Sequence, residues 1–128
     1  MAEKTAAQKM LIKPGMRGYL IHAPADAESL VGGLPEGFTR LEEPGELADF
    51  ILFFAGSRQE AAAELPGVKA LLKPSGLIWV AYHKGTSGVK TDLNRDILRE
   101  AAVEFGLEAV SLVAINADWA AMRFKVVG

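Results

Sequence analysis

The sequence predicts a three-layer α/β domain on a mainly parallel sheet, closed at its end by an antiparallel hairpin. Two uninterrupted runs carry that prediction, Asp49-Phe50-Ile51-Leu52-Phe53-Phe54 and Leu77-Ile78-Trp79-Val80-Ala81-Tyr82. Strands that are apolar without alternation belong to parallel sheets covered on both faces. Helix-forming stretches lie between and after the runs, and alternation of strand with helix is what parallel crossovers require. The last observation is the pair of strand-like segments 108–115 and 119–127, joined by Asn116-Ala117-Asp118, whose spacing reads as a hairpin.

Taken in order, residues 3–11 read as a short helix ended by Lys13-Pro14-Gly15, and a first strand follows at 17–22. Pro24 ends that strand, and a short helix over 26–31 stops at Gly32-Gly33. Phe38-Thr39-Arg40-Leu41 is a weak second strand. From Leu41 to Phe50 the chain spans at most about 30 Å, at ~3.3 Å per residue, which is too short for a crossover helix. An extended return across two strand spacings, costing roughly 20 Å, fits.

Ser57 and Glu60 have capping-box spacing at the start of a helix that carries Leu65, Val68, Leu71 and Leu72, with a break expected at Pro66. Lys73-Pro74-Ser75-Gly76 stops it before the second apolar run. A polar loop at 83–91 leads to a helix capped by Thr91 or Asp92, with Leu93, Ile97, Ala101 and Phe105 spaced along one face and Gly106 as its stop.

Composition narrows the function classes. The chain has 128 residues, half of them apolar, which is enough for the core of a single domain over 1–128. Acidic residues outnumber basic ones by 16 to 14. Lys4, Lys9, Lys13 and Arg17 gather without interleaved aromatics, so no nucleic-acid partner is expected. Cysteine is absent, which excludes disulfides, thiol catalysis and cysteine-ligated metals. The charged N-terminus is not a signal peptide, and no apolar run reaches the ~18 residues of a membrane span, so the expectation is a soluble cytoplasmic protein without a membrane partner.

The element order, the Asp49-Phe50-Ile51 strand and the Leu72-Lys73-Pro74-Ser75-Gly76-Leu77-Ile78 turn and strand resemble the class I, S-adenosylmethionine-dependent methyltransferase fold. More closely, the chain is similar to a family of small, uncharacterised bacterial proteins with a reduced, truncated form of that Rossmann-like fold. The segments carrying this likeness are Lys13-Pro14-Gly15-Met16-Arg17, Ala23-Pro24, Leu34-Pro35-Glu36-Gly37, 87–96 and Trp119-Ala120-Ala121-Met122-Arg123-Phe124. The resemblance implies the fold and implies no activity. Active methyltransferases end the first strand in a glycine-rich turn against the cofactor, whereas this chain has His22-Ala23-Pro24-Ala25. Proline removes a backbone donor, and alanine blocks the close approach that glycine allows. Glu42 or Glu43 stands where the resemblance implies a ribose-binding acid. The fourth strand ends Phe54-Ala55-Gly56 without a polar residue, and the third strand with its helices is missing. No cofactor is therefore expected.

Ligands in open α/β sheets sit beyond the carboxyl ends of the strands. That edge gathers His22, Ser57, Arg58, His83 and Lys84 with the loop after them. The expected ligand-binding residues are Arg58 and Lys84 as charge partners, Thr86, Ser87 and Gly88 as donors, and Thr91, Asp92 and Arg95 at the helix start, where the dipole favours an anion. Thr91, Asp92 and Asn94 are also ordinary helix-start residues. The two histidines lack metal-binding spacing, so neither a metal nor a catalytic residue is expected. Three readings follow. The first is a non-catalytic methyltransferase-like domain binding a small anionic ligand or a protein partner at this edge. The others are an active methyltransferase with an atypical cofactor loop and a structural or interaction module. The weak 38–41 strand offers an edge through which a homodimer could form.

Overall fold

The computed structural model describes residues 5–43, 45–85, 88 and 91–127. Its strands are β1 (Arg17–Ile21), β2 (Thr39–Arg40), β3 (Ala48–Phe54), β4 (Leu72–His83), β5 (Leu107–Ala114) and β6 (Trp119–Val126). The helices are α1 (Ala6–Lys9), α2 (Ala27–Leu30), α3 (Arg58–Lys69) and α4 (Arg95–Val103). The strands form a single sheet in the order β2-β1-β3-β4-β6-β5. The first four run parallel, and β6 inserts antiparallel between β4 and β5. The chain returns from β2 to β3 across β1 without a crossover helix, as its length demands.

Each central strand serves two cores. Ile51, Phe53, Ile78, Val80, Met122 and Phe124 pack with Leu65 and Val68 of α3 and Leu98 and Ala102 of α4. Phe50, Leu52, Phe54, Trp79 and Ala81 face the other way, against Met10, Ala27 and Val31 of the N-terminal layer. Residues of β3 alternate between these cores while all but Asp49 are buried, which is why its sequence shows no polar alternation. The Trp79 indole N–H donates to the Met10 carbonyl at 3.1 Å, pinning the N-terminal segment to the sheet centre.

Four local expectations need correcting. Helix α3 runs through Pro66 unbroken. Pro66 and Ala62, whose carbonyl loses its helical donor, both lie on the exposed face, where water serves the carbonyl, while buried Leu65 and Val68 hold the helix in place. The Ser57–Glu60 box is only half formed. The Ser57 hydroxyl accepts the Glu60 N–H at 3.1 Å, but the Glu60 carboxylate takes the Gly56 N–H, one residue before the cap. The α4 cap is Asn94, which accepts the Ile97 N–H at 2.9 Å, because Thr91 and Asp92 have other partners. Finally, Lys73-Pro74-Ser75-Gly76 lies within β4 as an irregularity, between the Ala48–Leu72 and Phe50–Leu77 pairings.

The β2 edge expected for a homodimer is an edge of the sheet but pairs over only Thr39 and Arg40. The opposite edge, β5, is eight residues long and exposes Val110 and Leu112. Among the described residues no helix is long and apolar enough to cross a membrane.

Candidate functional site

The parallel strands β1, β3 and β4 end at one edge, and their exits bring His22, Gly56-Ser57 and His83-Lys84 to it. His22 leaves β1 with φ +54°, in the left-handed region where side chains are rarely tolerated. The position that lacks glycine in sequence therefore still adopts a backbone suited to glycine. The His22 ring tilts over Phe53, with centroids 5.9 Å apart, and its Nε2 lies 2.7 Å from Glu64 Oε1. That hydrogen bond raises the imidazole pKa above its ordinary 6.5, against the opposing effect of burial.

The start of α3 is tied to the segment before α4 by two bonds, and each side is held by one of its own. Asp92 Oδ1 accepts the Arg58 N–H at 2.8 Å, and the Thr91 hydroxyl donates to the Gly56 carbonyl at 2.9 Å while accepting the Leu93 N–H at 3.1 Å. Glu60 Oε1 takes the Gly56 N–H at 3.1 Å. The positive end of α3 is thus met by carboxylates of the protein itself, an arrangement hidden from the sequence because Asp92 caps a helix 34 positions away.

A cleft of about 1010 Å³ opens beside the exit of β4 and is lined by His83, Gly85, Gly88, Thr91, Asp92, Leu93, Asn94 and Ile97. A smaller cavity of about 300 Å³ shares Gly85 and Asn94 with it and adds Tyr82, Lys84, Arg95 and Asp96. Gly88 sits at φ +83°, a conformation open to glycine. Of the expected binding residues, Gly88, Thr91, Asp92, Lys84 and Arg95 line one or other cavity, and Arg58 lines neither. Thr86 and Ser87 lie outside the described residues. Burial pushes the Tyr82 phenol pKa above its ordinary 10.0. On the inner wall, His83 stacks on Trp119 with centroids 3.8 Å apart, and Trp119 meets Phe54 edge-on at 5.1 Å. The His83 Nδ1 is buried without a hydrogen-bond partner among the described residues.

Sequence reasoning passed over one grouping at this edge. A ring nitrogen of His22 and carboxylate oxygens of Glu60 and Glu64 all lie within 4.8 Å of one another. The available signal was the four-residue spacing of the two glutamates on a helix that follows a strand adjacent to β1.

The architecture is a class I methyltransferase-like fold. A ribosomal protein L11 methylase from Lactobacillus delbrueckii subsp. bulgaricus superposes with a TM-score of 0.63 at 7% identity, over 96% of this chain and 75% of that one. The structure of a DhpI–SAH complex gives 0.64 at 12% identity, over 95% and 83%. The CcbJ methyltransferase from Streptomyces caelestis gives 0.60 at 9% identity, over 96% and 88%. At such identities the likeness is one of fold. No protein-family model matches the chain, and the search of curated proteins finds no match.

Proposed function

We propose that this chain is a methyltransferase-like domain that does not transfer methyl groups and binds a small anionic ligand at the carboxyl edge of its sheet. The supporting observation is the pair of adjoining cavities around the start of α4, of about 1010 and 300 Å³, with Lys84 and Arg95 on the smaller. Ligands of open α/β sheets settle at such an edge, and the α4 dipole adds a positive end to two cations. The His22-Ala23-Pro24 exit from β1 argues against the close backbone approach that a cofactor cradle uses. A second reading, an S-adenosylmethionine-dependent transferase with a rebuilt turn, is favoured by the likeness to the DhpI–SAH complex.

Thermal unfolding of the full chain with pyrophosphate, citrate, S-adenosylmethionine or SAH separates the two. A ligand at about 100 times its dissociation constant adds roughly 2.7 kcal/mol and raises the midpoint by several degrees. The proposal expects a rise with pyrophosphate or citrate that Lys84→Ala plus Arg95→Ala removes and Arg58→Ala leaves in place. A rise confined to S-adenosylmethionine and SAH overturns it in favour of the transferase. No rise with any of the four leaves a structural or protein-binding module, which also overturns it.

A further inference from the structure

We propose that His22, Glu60 and Glu64 bind a single divalent first-row transition metal ion, zinc foremost, at the exit of β1. The three donors come from two elements that the sheet holds side by side. Glu60 and Glu64 are one turn apart on α3, and His22 ends the strand paired with β3, from which α3 departs. Their ligand atoms lie within 4.8 Å of one another. Donors bound about 2.0–2.2 Å from one ion sit roughly 3–4.4 Å apart, so small side-chain rotations close the set.

The chemistry of the donors selects the ion. Two carboxylates alone suit magnesium or calcium, while an imidazole shifts preference toward zinc, manganese, iron or cobalt. Charge agrees. Among the described residues neither glutamate pairs with a lysine or arginine, and His22 is the group that meets Glu64. A divalent cation would balance two carboxylates that one imidazole balances incompletely. The Gly56 N–H on Glu60 Oε1, at 3.1 Å, orients that carboxylate as an outer-shell partner does for a ligating one.

Three protein donors leave coordination positions open. They adjoin a groove of about 450 Å³ that Glu64 itself lines, together with Tyr19, Ile21, Leu41, Gly67 and Leu71. The ion would therefore be reachable by solvent and by small ligands from that groove. This site is separate from the cavities at α4, since none of its three residues lines them.

Isothermal titration of the tag-free, chelator-treated chain with zinc chloride tests the proposal, with cobalt(II) as a spectroscopic probe of the same site. The expected result is one ion per chain and a visible cobalt absorption from mixed nitrogen and oxygen ligation. Glu60→Gln should weaken binding by about tenfold or more. His22→Gly removes the imidazole at a backbone position that glycine prefers, so this variant keeps its unfolding midpoint and loses the ion. Asp118→Asn, an acid remote from the trio, should change nothing. Binding that survives both Glu60→Gln and His22→Gly overturns the proposal, as does magnesium binding as tightly as zinc. Failure to saturate at one equivalent overturns it too.

Discussion

Asp92, which lies just before one helix, accepts the N–H of Arg58, the first residue of another, at 2.8 Å. The Ser57 hydroxyl satisfies a second donor of the same turn, so α3 carries a two-part cap from distant stretches of chain. Asp92→Ala therefore leaves the Arg58 N–H to water and takes a negative charge from the positive end of α3. The expected loss is about 1 kcal/mol, a fall of several degrees in the unfolding midpoint. Asp92→Asn keeps the acceptor oxygen and should lose clearly less. Equal losses would show that charge rather than the hydrogen bond is what Asp92 supplies.

Asp49 gives the fold a pH dependence whose sign is fixed by its partners. Its carboxylate accepts the Arg17 N–H at 3.0 Å and the Lys73 ammonium at 2.9 Å. The backbone donor first, and then Lys73, hold its pKa below the ordinary 3.8. A carboxyl depressed by folding stabilises the protein above its unfolded pKa, and that contribution fades as pH falls toward the folded value. Asp49→Asn should thus cost stability at pH 7 and progressively less below about pH 4, where the wild-type group also protonates. Unfolding curves of both proteins from pH 7 to 3 measure the gap. A gap that stays constant over that range would refute this origin.

Much of the frame was legible because it rests on periods that neighbouring residues impose. The unbroken runs at Phe50–Phe54 and Ile78–Tyr82 read as strands covered twice, and the short span from Leu41 to Phe50 required the chain to return from β2 to β3 without a helix between them. The hairpin turn was legible as well, since Asn116 Oδ1 accepts the N–H groups of Asp118 and Trp119, at 2.9 and 2.8 Å. Legibility failed where residues far apart choose each other. Thr91 and Asp92 have the chemistry of an N-cap, yet they serve Gly56 and Arg58, and Asn94 caps α4 instead. The buried face of α4 is partly turned from the expected one: Leu93 is buried as expected, but Leu98 and Ala102 are fully buried while Ile97, Ala101 and Phe105 are only partly so. Which face a helix buries depends on its neighbour, here α3, and not on its own periodicity alone. The approach of His22 to Glu64 is tertiary in the same sense, spanning 42 positions.

Gly18 shows how closely β1 meets β3. A Cβ built on it would lie 2.5 Å from the Phe50 carbonyl oxygen and 3.0 Å from the Phe38 ring. The first of these is backbone in the middle of a sheet and cannot swing aside. Gly18→Ala should cost about 1–3 kcal/mol by forcing the two strands apart, despite the better strand propensity of alanine. Equilibrium denaturation in urea reads this directly, and an unchanged midpoint would mean that β1 has room the distances deny it.

Pro66 makes the opposite prediction. It sits inside α3 on the exposed face, where the missing N–H leaves the Ala62 carbonyl without its helical donor. Intrinsic propensities put proline about 3 kcal/mol below alanine in a helix interior, offset by ~0.4–1 kcal/mol because proline also restricts the unfolded chain. Solvation of the Ala62 carbonyl recovers a further part. Pro66→Ala should therefore raise stability by about 1–2 kcal/mol and slow amide exchange in the α3 residues around position 66. Leu65 and Val68 keep their buried positions in either case, so the gain would come from the backbone and not from repacking. A loss of stability would mean that the proline shapes a bend on which the packing of α3 against the sheet depends.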